Sequence, residues 1–349
     1  MYMYGNPFWK EAAARWDAFW NVSYVDRPGI QIWYPAESSR PPSGRNWTTW
    51  ERWNDPEAII EQNRETGNSC LGEAIRTVCP FWYGIEETLG IDLNYTPDTT
   101  WVHPMKGSLS DVDLSRFTSE SPSFARLLNI MSQTVQALSG EYFCSYPPLG
   151  NPGDTMARIR SYEAYCYDLM DEPELAFQKE TELTDIWCEL YRRVMQTLLP
   201  VQEGSCGWLP AWYKGKSFLI EFDFCALVSP ELFKSFIPMI EKRASETEKT
   251  IFHLDGPDSL KHLDVILSLP WIDAVQALPG AGIPDMLLWM PIYKKIQAAG
   301  KSLYVGNSVS AEEARVLIKE LRPEGLMIPI HFGSRDNAFK FAEDYNVTH

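Results

Sequence analysis

The chain has 349 residues, 45% of them apolar, with 31 basic against 47 acidic side chains and a net charge of −16. That length supplies ample core material, and the acidic balance argues against non-specific attraction to nucleic acid or an anionic membrane surface. No apolar run reaches the roughly 18 residues that a bilayer-spanning helix needs.

The opening residues, MYMYGNPFWKEAAARW, show neither a basic n-region nor an apolar h-region, so no secretory leader is expected. Seven scattered cysteines, odd in number and without a C-x-x-C pair, suit reduced thiols in a cytoplasmic protein. Fourteen tryptophans are unusual, and such residues serve either as pocket walls or as filling for a large core.

Residues 7–21 have helical periodicity, with Phe8, Trp9, Ala12, Trp16 and Phe19 on one stripe. GIQIWYP (29–35) reads as a strand between Arg27-Pro28-Gly29 and a Ser/Pro/Gly-rich loop. Residues 55–67 combine an Asp cap, a Pro in the first turn and a closing Gly, which predicts a helix. A second strand is predicted over 74–82, and residues 86–117 form an excursion with strand-like alternation and no helix partner. A helix over 122–138 leads to a third strand at 141–150, followed by helices at 154–169 and 172–199. GSCGWLPAW (204–212) is placed as the fourth strand. A helix over 229–247 opens with Ser-Pro-Glu, a strong start signal. Strands at 249–256, 272–280, 301–307 and 325–331 then alternate with helices at 259–269, 284–300 and 310–321, before a last helix.

Eight strands separated by helices, with no linker and no internal repeat, predict one α/β domain over residues 1–349. Its form is a distorted (β/α)8 TIM barrel with N-terminal helical and β excursions. A doubly wound sheet is the alternative, but no G-x-G-x-x-G follows the first strand.

In a barrel the site lies at the C-terminal strand ends. His253 and Asp255 stand two apart on the fifth strand, so their side chains share a face. With His331 at the end of the eighth strand they offer two imidazoles and a carboxylate, a set suited to zinc with an open water position or to ferrous iron. An isolated His-x-Asp also fits a pair that merely hydrogen-bonds neighbouring loops. Gln276 and Asn307 are placed as substrate hydrogen-bonding groups, and Tyr34, Trp208 and Trp212 as pocket walls. His262 falls on a predicted helix as a surface or packing residue, His103 in a loop, and His349 at the terminus. Glu221 and Asp223 in IEFDF share a face, but a retaining glycosidase pair normally comes from different strand ends. No P-loop, G-x-S-x-G elbow or H-E-x-x-H occurs.

Five segments in order carry a family resemblance: WDAFWNVSYVDRPGIQIW, LGIDLNYTPDTTWVHP, MARIRSYEAYCYDLMDEPE, FDFCALVSPELFKSFIPMIEK and FHLDGPDSLKHLDVILSLPWIDAVQ. Over roughly residues 10–345 the chain resembles the uroporphyrinogen decarboxylase superfamily, which includes the cobalamin-dependent methyltransferases of methanol and methylamine metabolism. The resemblance implies a distorted TIM barrel. In the methyltransferase branch it implies zinc held by a His-x-Cys at one strand end and a Cys near the last strand. His253 falls on the first position, Asp255 stands where the cysteine would be, and His331 lies near the later ligand. A carboxylate in place of a thiolate admits another divalent metal. The decarboxylase branch matches less closely: its Arg-Gln-Ala-Gly-Arg segment has no counterpart after GIQIWYP, and Cys79-Pro80-Phe81 replaces its aspartate.

The expectation is a cytoplasmic enzyme that moves a methyl group of a small-molecule substrate to or from a corrinoid supplied by a partner protein. His253, Asp255 and His331 would bind the metal or orient the substrate. The alternatives are a cofactor-independent decarboxylase with His331 and Asp255 as acid–base groups, and a non-catalytic tetrapyrrole or corrinoid binder.

Overall fold

The computed structural model describes residue 6 and residues 8–36, 45–65, 68–97, 99–280, 282–283 and 285–347. The loop predicted after the first strand, the closing Gly67 and Pro284 of two predicted helices, and His349 lie outside the described residues.

The strands in chain order are β1 (Gly29–Pro35), β2 (Asn68–Gly72), β3 (Thr77–Val78), β4 (Asp92–Tyr95), β5 (Thr100–His103), β6 (Phe143–Cys144) and β7 (Ser217–Ile220). They continue with β8 (Lys249–Asp255), β9 (Ala274–Leu278), β10 (Ser302–Val305) and β11 (Leu326–His331). Seven of these form one sheet in the order β2-β1-β11-β10-β9-β8-β7, parallel throughout except where β2 runs antiparallel to β1. The chain therefore has an α/β fold with a mainly parallel sheet. Strands such as SFLI and SLYV are buried along their length, because a parallel sheet is covered on both faces.

Side-chain alternation sorts the two faces. Leu219, Ile251, Ala274, Tyr304 and Met327 pack with Trp9, Trp16 and Trp20 of the first helix, Trp9–Trp20. Their neighbours Ile220, Phe252, Val275, Val305 and Ile328 belong to the larger core beneath the other helices. Residues in step with Ile251 and Ala274, namely His253, Asp255 and Gln276, thus share the inner face, and the first helix closes its N-terminal end.

The ladder does not close into an eight-stranded barrel among the described residues. β2 occupies the free edge of β1, and β3 pairs with β6 in a separate parallel ladder. Between β6 and β7 the connection is local, with Tyr146 N–H donating to the Cys206 carbonyl at 3.1 Å.

The fourth predicted strand is corrected. Residues 204–212 form no strand; Ser205 and Tyr213 exchange two backbone hydrogen bonds, of 2.8 and 3.0 Å, and fold the Gly/Pro-containing segment into a loop. The fully buried SFLI takes the strand position instead. β2 was not expected: it is five residues long and follows directly on the predicted helix.

Helix 154–169 is two helices, Asp154–Arg160 and Tyr162–Asp171, broken at Ser161, whose φ is 81°. The region around 55–67 also holds two, Thr49–Asn54 with a Thr48/Glu51 capping box, and Pro56–Glu65. The alternation in the excursion forms the β4–β5 hairpin. Among the described residues no helix is long and apolar enough to cross a membrane.

Candidate functional site

β8 places Ile251, His253 and Asp255 on the inner face, and the register sets His253 beside Gln276 on β9. His253 is buried, and its Nδ1 lies 2.6 Å from Gln276 Oε1. The Gln276 amide nitrogen donates to the Gly306 carbonyl at 2.9 Å and to Asn307 Oδ1. With its NH2 committed to two acceptors, Gln276 can offer only its oxygen to the histidine. Nδ1 therefore carries a proton, and Nε2 is the ring atom turned to the rest of the site. Nε2 faces Asp223 Oδ1 across 3.8 Å.

Asp223, His253 and Asp255 each bring one ligand atom within 4.8 Å of the others. Two carboxylates and an imidazole lone pair at such separations repel unless a proton or a cation lies between them. Asp255 Oδ1 and Trp208 Nε1 are buried with no hydrogen-bond partner among the described residues.

Asp223 opens the turn that follows β7, and the register Ile220↔Phe252 brings this turn alongside His253 and Asp255. Asp154, at the start of its helix, holds the turn by accepting from Asp223 N–H at 3.1 Å and from Phe224 N–H at 2.7 Å. The Asp223 side chain is 49% exposed at the rim. Even so, the atoms packed around its carboxyl push it up to about 6, mainly by desolvation, with Glu221 and Asp255 adding to the rise and His253 opposing it. Burial, reinforced by Asp223 and Glu221, raises the Asp154 carboxyl well above its ordinary value.

The expected grouping of His253, Asp255 and His331 does not form, because His331 goes elsewhere. It is the register partner of Trp33 on β1 and stacks on that ring at 4.7 Å and 10°. Its Nδ1 lies 3.1 Å from Ser308 Oγ, and desolvation lowers its pKa. Asp223 takes the third place. In the sequence Asp223 stands out only through the face it shares with Glu221, since nothing local shows that Asp154 would hold its turn.

Tyr34 is not a pocket wall. It is in step with Ile30 and Ile32, which face the outer core, and packs edge-on against Phe339 at 5.7 Å. Trp212 also lies away from the site. The Ser205–Tyr213 loop turns it under the first helix, where it meets Trp9 at 4.9 Å and donates to the Glu203 carbonyl at 2.8 Å. Trp208 does reach the site, edge-on to His253 with ring centroids 5.1 Å apart. Gln276 is wholly buried and spends its amide on His253, Gly306 and Asn307, while Asn307 is exposed. His262 is a packing residue, stacked on Phe233 at 4.3 Å with Nε2 at 2.9 Å from the Cys225 carbonyl. His103 ends the β4–β5 hairpin, exposed.

Beside Trp208 lies a cavity of about 230 Å³. Phe81, Trp82, Tyr83 and Trp208 supply aromatic wall, and Glu221 and Arg158 supply charge. Asn151 Nδ2 donates to Glu221 Oε2 at 2.6 Å. Arg158 pairs with Glu86 at 3.0 Å and lies 5.5 Å from the centre of the Tyr83 ring.

No protein-family model matches the chain, and no curated protein matches it either. Among solved structures, the fold is similar to that of a methyltransferase from Methanosarcina mazei. The two align at 13% identity with a TM-score of 0.61, over 96% of this chain and 98% of that one. Two mandelate racemase/muconate lactonizing enzymes, from Sulfitobacter sp and Jannaschia sp. CCS1, align at 8% and 14% identity. They cover 89% and 88% of this chain and 55% of each of theirs, with TM-scores of 0.39 and 0.34. At 13% identity the first likeness is one of fold.

Proposed function

We propose that the chain is a methyltransferase-type enzyme, a single cytoplasmic domain with a distorted (β/α)8 design, whose Asp223, His253 and Asp255 hold a divalent cation. The observation that carries this reading is the convergence of three ligand atoms within 4.8 Å of one another. His253 Nε2 faces Asp223 Oδ1 at 3.8 Å while a buried oxygen of Asp255 has no partner among the described residues. The donor set fits a cation that accepts hard oxygen ligands together with imidazole, such as zinc, iron or manganese. The likeness of fold to an archaeal methyltransferase supports methyl transfer as the reaction class.

The chain's own residues have separable tasks in this reading. Gln276 fixes the tautomer and aim of His253, Asp154 fixes the turn that presents Asp223, and the aromatic cavity excludes water from the substrate. When bound, the cation supplies a Lewis acid for a substrate oxygen, nitrogen or thiol. Thiolate chemistry of the kind that the family resemblance implies is disfavoured, because Asp255 replaces the cysteine and burial holds the Cys79 thiol well above its ordinary value. The methyl carrier is proposed to be a corrinoid on a partner protein. A cavity of about 230 Å³ is too small to enclose one. The exposed apolar side chains of Phe81, Leu227 and Leu288, in segments that follow β3, β7 and β9, offer a docking rim.

Metal analysis after metal-replete purification, followed by zinc and manganese titration, tests the reading. Wild type is expected to hold about one equivalent, and His253→Ala and Asp255→Ala to weaken binding by about 100-fold or more. Less than about a tenth of an equivalent in the wild type would sink the metal centre. A second reading has a specific observation behind it: with its carboxyl near 6, Asp223 suits metal-free acid–base chemistry of a decarboxylase kind. That reading expects turnover unaffected by chelators.

A further inference from the structure

The geometry points to a second reactive site at the same end of the sheet, in which Ser308 is a nucleophile and His331 its general base, acting on small neutral carboxylic esters. The site is separate from the metal centre and does not depend on it. Ser308 Oγ lies 3.1 Å from His331 Nδ1, within reach for proton transfer, and the pair is open to solvent. A hydrogen bond between two exposed groups adds little to stability, because water replaces either partner.

The two side chains come from adjacent strand ends. His331 closes β11, and Ser308 follows β10 just after Gly306, whose φ of 58° bends the chain there. Val309 N–H donates to the Pro329 carbonyl at 2.9 Å and ties the Ser308 segment to β11. Trp33 fixes the imidazole on its flat side: the two rings stack at 4.7 Å and 10°. Trp33 is itself buried and donates its Nε1–H to the Ile75 carbonyl at 3.3 Å, while its own carbonyl accepts from Phe332 N–H at 2.8 Å. Desolvation lowers the His331 pKa, so the ring is neutral near pH 7. A neutral ring can accept at Nδ1, and in that tautomer the Ser308 hydroxyl donates to it. Nucleophile, base and a group that orients the base are then in place.

Charge selects the substrate class. The helices Ala311–Glu320 and Arg335–Asp344 begin shortly after Ser308 and His331, so the positive ends of their dipoles lie close to the pair. That field favours the negative charge that develops on a carbonyl oxygen under attack. Glu312 and Asp336 in the same first turns disfavour a ligand that arrives as an anion, and Arg335 is drawn over the Phe339 ring at 4.7 Å. A neutral acyl group satisfies both conditions. As Ser308 Oγ bonds to the ester carbon, its proton passes to His331 Nδ1. The ester C–O bond then breaks, the alcohol leaves with that proton, and the acyl group stays on Ser308. Water attacks the acyl carbon and gives a proton to His331, which returns it to Ser308 Oγ as the acid departs. His331 is shifted by desolvation without an opposing carboxylate, so the pair lacks the acid of a full triad and suits esters with good leaving groups.

The test is stopped-flow hydrolysis of p-nitrophenyl acetate by the full chain in EDTA, with peptide mapping of the acyl-enzyme. A burst of about one equivalent of p-nitrophenol is expected, with the acetyl group on Ser308. Ser308→Ala, at an exposed position, is expected to keep the fold and to abolish both burst and label. Ser308→Cys retains a nucleophile and is expected to keep the burst. His331→Ala is expected to slow acylation by about 100-fold or more. Trp33→Leu is expected to slow the burst at saturating ester by about tenfold, and Trp33→Phe, which keeps a ring beneath the imidazole, to restore it. No burst, an acetyl group carried on another residue, or a burst that survives Ser308→Ala overturns the proposal. Because EDTA is present throughout, the outcome is independent of whether Asp223, His253 and Asp255 hold a metal.

Discussion

Replacing Gln276 by leucine tests whether the histidine is aimed by its neighbour or merely packed beside it. The side chain is wholly buried, and the substitution removes hydrogen bonds to His253 Nδ1 at 2.6 Å, to the Gly306 carbonyl at 2.9 Å and to Asn307. Asn307 is exposed and regains water, so two losses matter. Each is worth about 1 kcal/mol net, and the stranded Gly306 carbonyl adds a penalty of about 1–2 kcal/mol, while the apolar leucine recovers about 1 kcal/mol. The variant should therefore lose about 2–3 kcal/mol of unfolding free energy in urea. Metal affinity should fall by about 10–100-fold in a chelator competition near neutral pH, because His253 loses the partner that fixes its tautomer.

Gln276→Glu separates the two effects. It keeps an acceptor for Nδ1–H, so affinity should stay within about threefold of wild type even though stability still drops for want of an amide donor to Gly306. If Gln276→Leu loses stability yet binds metal as tightly as wild type, the aiming role is refuted and Gln276 is a packing residue only.

His331→Ala should leave metal affinity within about twofold, since His331 stacks on Trp33 outside the group; a loss of about tenfold or more would restore it as a ligand. Glu73→Gln should destabilise the fold by about 3–5 kcal/mol in urea unfolding. The carboxylate is fully buried and accepts from Arg27 at 2.9 and 3.0 Å and from Ile30 N–H at 2.6 Å. A change under about 1 kcal/mol would show that the cluster relaxes. Glu180 is also fully buried, and desolvation raises its pKa above the ordinary 4.5. The folded chain therefore holds this proton where the unfolded chain has lost it. Its contribution is complete below the unfolded value and is lost as pH rises through the folded one. Thermal melts from about pH 5 to about pH 8 should show a shallower decline for Glu180→Gln than for wild type, and parallel curves would refute the assignment.

Much of the fold was legible because its signals are local. The parallel strands from β8 onward are mostly apolar, and Ser229 and Ser310 cap their helices by accepting from Leu232 and Glu313 N–H. The fourth strand was misplaced because GSCGWLPAW and SFLI are both short and apolar, and only the Ser205–Tyr213 pairing shows which one turns. The His253–Asp255 pair was readable from strand alternation. The same alternation separates Tyr34 from Trp33, and applied to β1 it would have moved Tyr34 to the outer face. Asp223 was not readable, since what presents it is a carboxylate 69 residues earlier in the chain. Long-range pairings of that kind leave no spacing to find.

The first helix, Trp9–Trp20, bears on how the chain is made as well as on how it is closed. Its tryptophans pack against residues of β7, β8, β9, β10 and β11. Its C-terminal end accepts a hydrogen bond from Lys249 Nζ at 3.1 Å and another from Ser302 Oγ. The helix thus completes its seat only after nearly 300 further residues have been synthesised. During that interval an amphipathic helix with three large indole rings waits with its partner surface incomplete. Slow translation, or a truncation anywhere before β10, leaves it exposed to off-pathway association. Ribosome-bound chains halted before residue 302 should lean most heavily on chaperones, and removal of the helix should relieve them of that dependence.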